Sequence, residues 1–527
     1  KNDEVTASGE KPVGDGKNVD GPAVSIDTAG LIDRIESLPV TPGSYYGLVA
    51  TNEGLYYVSR GELKFFSLED GKETEIGRLG QFAVSADRKK ILFRSGDGWY
   101  IEPLGKSRIS PSNRLDLSGM KTTVSLKAEW QQVYDESWRQ MRDYFYDPNM
   151  HGVDWKAIYR KYAQLEPYVN HRDDLTYVIG EMIAELNVGH AYVNSGDRPP
   201  VDRIPMGLLG ATFSRDKSGF YRIDSILSGQ SWNKSLVSPL RAPNVGAKHG
   251  EYLISINGVS LKTVDNLYQT LIGKADQLVE IEINSSPTEE GARKVIVRPI
   301  ADESALYYHE WVQQNIAKVT AASKGRIGYI HIPDMGPDGL NQFARYFYPQ
   351  LDKEALIIDD RGNGGGNVSP MIIERLLRKP SLGTMLRNNK TASIKPDAHV
   401  GPKVCLIDQY SASDGDLFPW QFRHYGIGPL IGQRTWGGVV GISGTLPFID
   451  GGDLRKPEFA HFAADGSSFI IEGEGVHPDI EVVNDPYAEY KGHDAQLERG
   501  IALLLQQLAE GIPTGVPSIP PFPDKSK

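Results

Sequence analysis

From about residue 305 to 510, short apolar runs alternate with amphipathic stretches, and that alternation narrows the possible folds more than any other feature. "RIGYIHIPDM" and "ALIIDDRG" read as strands, with "GPDGLNQFARYFYPQL" helical between them. "SPMIIERLL" follows as a helix, with Ser369 at the cap and Pro370 in the first turn. Next comes "KVCLID", where Val404 to Ile407, around the lone Cys405, form a buried strand. Strands and helices in alternation predict an α/β domain over 305–515, closed by the helix "AQLERGIALLLQQL".

Between the Ile407 strand and the helix that runs from Asp416 to Tyr425 sits a polar knot, Ser411-Ala412-Ser413-Asp414-Gly415. A turn with a helix cap accounts for it, and so does a nucleophile. A serine hydroxyl attacks only when a base takes its proton and the base is itself oriented. The oxyanion that forms needs preorganised N–H donors. Ser413 stands at a helix start, where N–H groups such as that of Asp414 are free. The stretch is not the G-x-S-x-G elbow of another hydrolase class. A donor loop is offered by "LIIDDRGNGGGN", in which a strand ends at Asp360-Arg361 and three glycines precede a helix. A dinucleotide loop fails on spacing, because Gly362 and Gly364 need a third glycine where Asn367 stands. A Walker loop lacks its Gly-Lys-Ser/Thr.

The remaining chain divides by pattern. Residues 1–35 are rich in Gly, Lys, Asp and Asn and read as a flexible tail or linker, and 516–527 as a Pro-rich tail. Over 36–120, short strands are separated by turns such as Glu53-Gly54, Asp70-Gly71 and Asp97-Gly98. The phrase "FAVSADRKKILF" is of the kind found in β-propeller blades. One or two blades cannot close a ring, so a piece of a longer chain and a small independent β-domain are both open. Residues 124–200 read as a helical bundle. There Leu175, Val178, Ile179, Met182, Ile183 and Leu186 make one apolar stripe, which Asn187 and Gly189 end just before His190. Residues 203–302 form a distinct unit whose "GEYLISINGV" resembles a PDZ domain. "GLLGA" looks like its carboxylate-binding loop, where N–H groups converge on an anion beside an open sheet edge. A PDZ-shaped spacer that binds nothing is the alternative.

Composition removes other classes. A net charge of −11 argues against nucleic acid and anionic lipid as partners. One cysteine excludes an intrachain disulfide and a cysteine-rich metal site. No metal-ligand cluster is visible, and neither metal nor organic cofactor is expected. The single thiol fits a reducing cytoplasm, while a periplasmic protein equally does without disulfides. No apolar run approaches the roughly 20 residues that cross a bilayer, so no membrane partner is expected. The chain opens on Lys1 with no leader pattern, which leaves a removed leader and a longer parent chain both open.

Taken together, "MHGVDW", "VGHAYV", "GRIGYIHIPDM", "LIIDDRGNGGGN" and "QYSASDGDLFPW" resemble, in order, the tricorn and C-terminal-processing peptidase family of serine proteases. The succession of helical bundle, PDZ domain and α/β sandwich points to the tricorn branch, which carries β-propellers upstream. The resemblance implies a multidomain α+β chain: partial propeller blades, a helical bundle, a PDZ domain and an α/β sandwich catalytic domain. It implies a peptidase acting on peptides or unfolded segments, self-associated, typically as a hexamer. By position Ser413 resembles the nucleophile and His190 the general base. The N–H groups of Asp414 and of Gly366, with Gly365 next in line, would form the oxyanion hole. Glu472 occupies the place of the supporting acid, with Glu474 as competitor, and His424, His461 and His477 stay in play as other histidines. Two departures stand out. The family pattern has a serine immediately before the base, where this chain has Gly189. Near "TMLRNNK", at 384–390, it offers Arg387 and no carboxylate, so the branch's preference for basic residues is not carried over.

Overall fold

The structure, a computed structural model, describes residues 27–526 apart from 80, 197, 199, 231, 388–392 and 512–517. Most of the tail expected over 1–35 therefore lies outside the described residues, as does part of the Pro-rich tail. The chain forms two units, Lys1–Thr123 and Val124–Lys527.

In the first unit β1 (Tyr46–Ala50), β2 (Gly54–Ser59), β3 (Glu62–Ser67) and β4 (Glu73–Gly77) form an antiparallel meander. A second antiparallel sheet holds β5 (Phe82–Val84), β6 (Lys90–Ser95) and β7 (Gly98–Pro103). Side chains two apart share a face, so Tyr56 and Val58 meet Phe65 and Leu63 across β2 and β3 and bury together with Ile91 and Phe93 of β6. Both sheets are open among the described residues. Strand β4 escapes the sequence pattern because "ETEIG" carries one apolar side chain, Ile76, which is fully buried.

The second unit begins with α1 (Leu126–Tyr144), α2 (Trp155–Ala163) and α3 (Arg172–Ala184), and the apolar stripe of α3 forms their common core. The short β8 (Tyr192–Asn194) follows His190. The PDZ sheet comprises β9 (Ala211–Arg215), β10 (Tyr221–Ile226), β11 (Tyr252–Ile256), β12 (Val259–Ser260), β13 (Val279–Asn284) and β14 (Arg293–Val297), with β9 at one edge. Its "TVDNLYQTLIG" segment, whose pattern predicts a helix, is a 3-10 turn over Leu267–Leu271. Between the cap at Asn266 and Gly273, at φ +67°, too few residues remain for an α-helix to propagate.

The α/β portion runs α4 (Ser304–Ser323), β15 (Ile327–His331), α5 (Pro337–Phe347), β16 (Ala355–Asp359) and α6 (Ser369–Leu377). A ribbon of β17 (Leu382–Thr384) and β18 (Ser393–Lys395) leads to β19 (Lys403–Ile407), α7 (Asp414–His424) and β20 (Leu430–Gly432). It ends with β21 (Thr445–Pro447), β22 (Asp453–Arg455), β23 (Ile480–Glu481), α8 (Pro486–Tyr490) and α9 (Ala495–Ala509). The parallel sheet has the order β15-β16-β19-β20-β23, and every residue of β15, β16 and β19 is buried. Alternation sorts their side chains. Ile330, Ile358, Cys405 and Ile407 face α5, α6 and α7, whereas Tyr329, Ile357, Val404 and Leu406 face α4 and α9. Ligands of such sheets gather at the carboxyl ends of the strands, and the glycine loop and Ser413 follow β16 and β19 there.

Three contacts fasten the helical bundle to this sheet system. Strand β8 pairs with β22, and Phe448 and Leu454 complete the bundle's core. Arg172 Nε donates to Asp450 Oδ2 at 2.5 Å, with the two side chains only 4% and 1% exposed. Breaking such a buried pair leaves an uncompensated charge. Arg172→Met is therefore expected to lower the unfolding free energy by about 3–5 kcal/mol, and the double variant with Asp450→Leu by less. Denaturant unfolding of both variants checks this.

Candidate active site

Ser413 adopts φ 60° and ψ −120° as the residue preceding α7. A non-glycine residue in that region is strained by about 1–3 kcal/mol, so the surroundings must enforce it. Ala412 N–H donates to Asn363 O (2.8 Å), and Gly365 lies so close that a Cβ on it would sit 2.5 Å from Ser413 Cβ. Although Ser413 occupies the cap position, its side chain caps nothing. Ser411, the other serine of the knot, is spent on structure, donating its hydroxyl to Asp360 O at 2.8 Å. Ser369 does not cap its helix either. It is the first residue of α6, and its hydroxyl and N–H both donate to the Asp414 carboxylate, at 2.5 and 2.9 Å.

The glycine loop is organised by Asn363. Its Oδ1 accepts from Gly365 N–H (2.9 Å), while its Nδ2 donates to Ile332 O (3.0 Å) and Asp360 Oδ1 (2.9 Å). Gly365, the second choice for the oxyanion hole, is thus not free to donate. The Gly366 N–H and the Asp414 N–H have no acceptor among the described residues. Both residues line, with Ser413, a cavity of about 450 Å³. The rest of its wall is largely apolar, with Leu417, Trp420, Phe459, Phe462 and Ile470. His424, stacked on Trp420 at 4.9 Å, and His461 also line it. His477 and Glu474 are exposed, and so is Arg387.

His190, at φ 59°, packs its ring edge-on to Trp436, centroids 5.6 Å apart. Trp436 N–H donates to Ser411 O (2.9 Å), inside the serine knot. Glu472 acts on the main chain beside the histidine, not on the ring. Its Oε1 accepts from Gly189 N–H (2.6 Å), and its Oε2 from Val439 N–H (2.7 Å) and Val440 N–H (2.9 Å). Val439 in turn lines the cavity that Ser413 faces. One segment, 436–440, therefore touches His190 and Glu472 at one side and the serine site at the other. His190 Nδ1 is buried without a hydrogen-bond partner among the described residues. Burial pushes its pKa down, partly opposed by the charge of Glu472. The absent relay serine has a steric counterpart, since a Cβ on Gly189 would lie 2.9 Å from Gly438 Cα and 3.1 Å from Glu472 Oε1.

Asp416 was not legible as a site residue. Three positions after Ser413 it reads as the far half of a capping box. Instead it is fully buried and its Oδ1 accepts from Gly437 N–H (2.8 Å), anchoring the 436–440 segment to the first turn of α7. Its Oδ2 has no partner among the described residues, and burial pushes its carboxyl up to about 6. The same residues include no group of His, Cys, Asp and Glu that could hold a metal ion.

Known proteins resemble this chain along most of its length. The model of peptidase family S41 matches residues 326–482, that of the tricorn protease C1 domain 126–184, and that of the tricorn protease PDZ domain 207–302. Tricorn protease homolog 1 of Streptomyces coelicolor is 34% identical over 538 residues, covering 95% of this chain and 49% of its own. The tricorn protease of Thermoplasma acidophilum is 33% identical over 502 residues, covering 92% and 46%. A crystal structure of the tricorn protease superposes with a TM-score of 0.82 at 32% identity, over 89% of this chain and 47% of that one. The chain thus spans about half the length of the relatives it matches.

The raised carboxyl of Asp416 has a stability consequence. Between about pH 4, where the unfolded chain releases this proton, and about pH 6 the folded state still holds it. Stability from this group is therefore full at low pH and lost as pH rises through that window. Asp416→Asn removes the titration, so its stability relative to the parent should improve between pH 4 and pH 7 by about 2–3 kcal/mol. Denaturant unfolding at both pH values reads this, and a difference independent of pH refutes it.

Proposed function

Because the chain carries the domain set of the tricorn branch of peptidase family S41, we propose that it hydrolyses bonds of peptides or unfolded segments through an acyl-enzyme on Ser413. The observation that carries this reading is a strained serine with an uncommitted hydroxyl, sharing a cavity with two uncommitted N–H groups. His190 takes the hydroxyl proton as Ser413 attacks the carbonyl carbon, and returns it to the leaving amine. The N–H groups of Gly366 and Asp414 receive the oxyanion. Water, deprotonated by the same imidazole, then clears the acyl group. Glu472 supports the imidazolium by its charge and fixes the backbone on which the ring stands.

The apolar wall of the cavity suits a large apolar or aromatic side chain next to the cut bond. Its one carboxylate, Asp414, is turned to Ser369. The two open sheets of the first unit are read as blades of a β-propeller, and the chain as self-associating into a ring, a hexamer by analogy with the branch. Native mass measurement tests the latter. A scaffold that holds peptides without cutting them is the second reading, favoured by the unpartnered Nδ1 of His190.

A fluorophosphonate probe separates the two, since it labels an activated serine alone. Ser413→Ala should abolish labelling and lower peptide turnover by about 10⁴-fold or more, with unchanged melting, and retained turnover would refute the mechanism. The lowered pKa of His190 keeps its base neutral into mild acid. The acid limb of kcat/KM should accordingly fall below about pH 6.5. Glu472→Gln, which removes the charge that raises that pKa, should move the limb lower still and reduce kcat. A limb that moves upward would contradict the assigned role.

A further inference from the structure

The loop before the edge strand β9 runs from Gly207 to Gly210, and three of its N–H groups are already taken. Gly207 donates to Leu271 O (2.9 Å), Leu208 to Ile300 O (2.8 Å), and Gly210 to Glu303 Oε2 (3.0 Å). The Leu209 N–H has no acceptor among the described residues. In a PDZ domain the N–H groups at this end of the loop gather a peptide's terminal carboxylate while the peptide adds to the sheet edge. Here a carboxylate of the chain itself stands on that cradle.

The placement of Glu303 is not incidental to its helix. It immediately precedes α4, where an acidic side chain ordinarily turns back to cap its own helix. Glu303 makes no such cap, and Asp302 Oδ1 takes the Ser304 N–H instead, at 2.8 Å. Burial raises the carboxyl of Glu303, and the charge of Asp302 adds to this against the Gly210 bond. Seven residues on, Glu310 Oε2 accepts from Ser228 N–H at 2.8 Å. Between them Leu306 buries against Leu227 and Leu236. One face of α4 is thus docked on the PDZ unit by two carboxylates and a leucine, spaced as helix geometry requires. Of the two carboxylates only Glu303 reaches the 207–210 loop.

We propose that Glu303 is an internal substitute for a peptide C-terminus, so that the PDZ cradle is held closed by α4 and admits a free terminal carboxylate only when Glu303 is displaced. Helix α4 also covers the face of the parallel sheet that bears Tyr329 and Ile357. Displacement would therefore bear on the element that joins terminus capture to the sheet carrying Ser413. The proposal concerns binding alone and stands whether or not Ser413 cuts.

The test uses the full chain in the Ser413→Ala background, titrated by fluorescence anisotropy with a labelled apolar hexapeptide ending in a free carboxylate, and with its C-terminal amide. If the cradle is open in about a tenth of molecules, Glu303→Ala should tighten binding of the free acid about tenfold. Binding of the amide should not change. Glu310→Gln, which alters another acceptor on the same helix and leaves Glu303 on Gly210, should leave both unchanged. Glu303→Gln, isosteric and uncharged, should show part of the gain, and it carries the test if the alanine variant melts early. Equal affinity of parent and both Glu303 variants for the free acid would overturn the proposal, as would an equal gain for the amide.

Discussion

One carboxylate, that of Glu472, collects N–H groups from two stretches of chain separated by more than two hundred positions. Gly189 comes from the loop after α3, and Val439 and Val440 from the segment between β20 and β21. Hydrogen bonds to an ionised acceptor are worth about 1.5–3 kcal/mol each. Losing the acceptor would leave three donors unsatisfied. The clamp decides where His190 stands, because the histidine follows Gly189 directly, and it fixes the wall that Val439 contributes to the serine cavity. It also makes glycine the fitting residue at 189, since the carboxylate and the Gly438 backbone occupy the space a side chain would need. The departure from the family pattern at this position is thus tied to how the acid is used.

Strain at the site is local and has identifiable support. Ser413 and His190 both have positive φ, and neither is glycine or asparagine. The first is enforced by the close approach of Gly365 and by the Ala412–Asn363 bond, the second by the Gly189–Glu472 bond and the Trp436 ring. Strain of about 1–3 kcal/mol per residue is offset by a sheet whose central strands are buried at every position. A rigid parallel sheet is a suitable base for a turn that would relax on a softer scaffold.

The sequence was most legible where a local rule applied. Short continuous apolar runs made β15, β16 and β19 readable, and a serine between strand and helix beside a glycine-rich turn marked the candidate site. It was least legible where a side chain bonds a distant backbone. Nothing in the spacing of Asn363 announces that it ties Gly365 to Ile332 and Asp360, and Asp416 imitates a capping box while holding Gly437. Gly365 and Gly366 are indistinguishable as letters. They differ because Asn363 Oδ1 claims one N–H and leaves the other. The loop before β9 was opaque for the same reason, since the carboxylate that accepts from its Gly210 N–H belongs to Glu303, nearly a hundred positions later.

These acids share a single habit. Glu472 on Val439 and Val440, Asp416 on Gly437, Glu303 on Gly210 and Glu310 on Ser228 each place a carboxylate on backbone donors that helix and sheet leave unused. Part of the chain's excess of acid is thus internal, filling positions where a negative oxygen is favoured. Against that habit the N–H groups of Gly366 and Asp414 are an exception, because no carboxylate of the described residues accepts from either. The carboxylate of Asp414 itself is engaged by Ser369. A fold that supplies anions to so many of its loose donors yet withholds one beside a free serine hydroxyl is what the proposed mechanism requires, since there the oxygen's charge arises only during reaction.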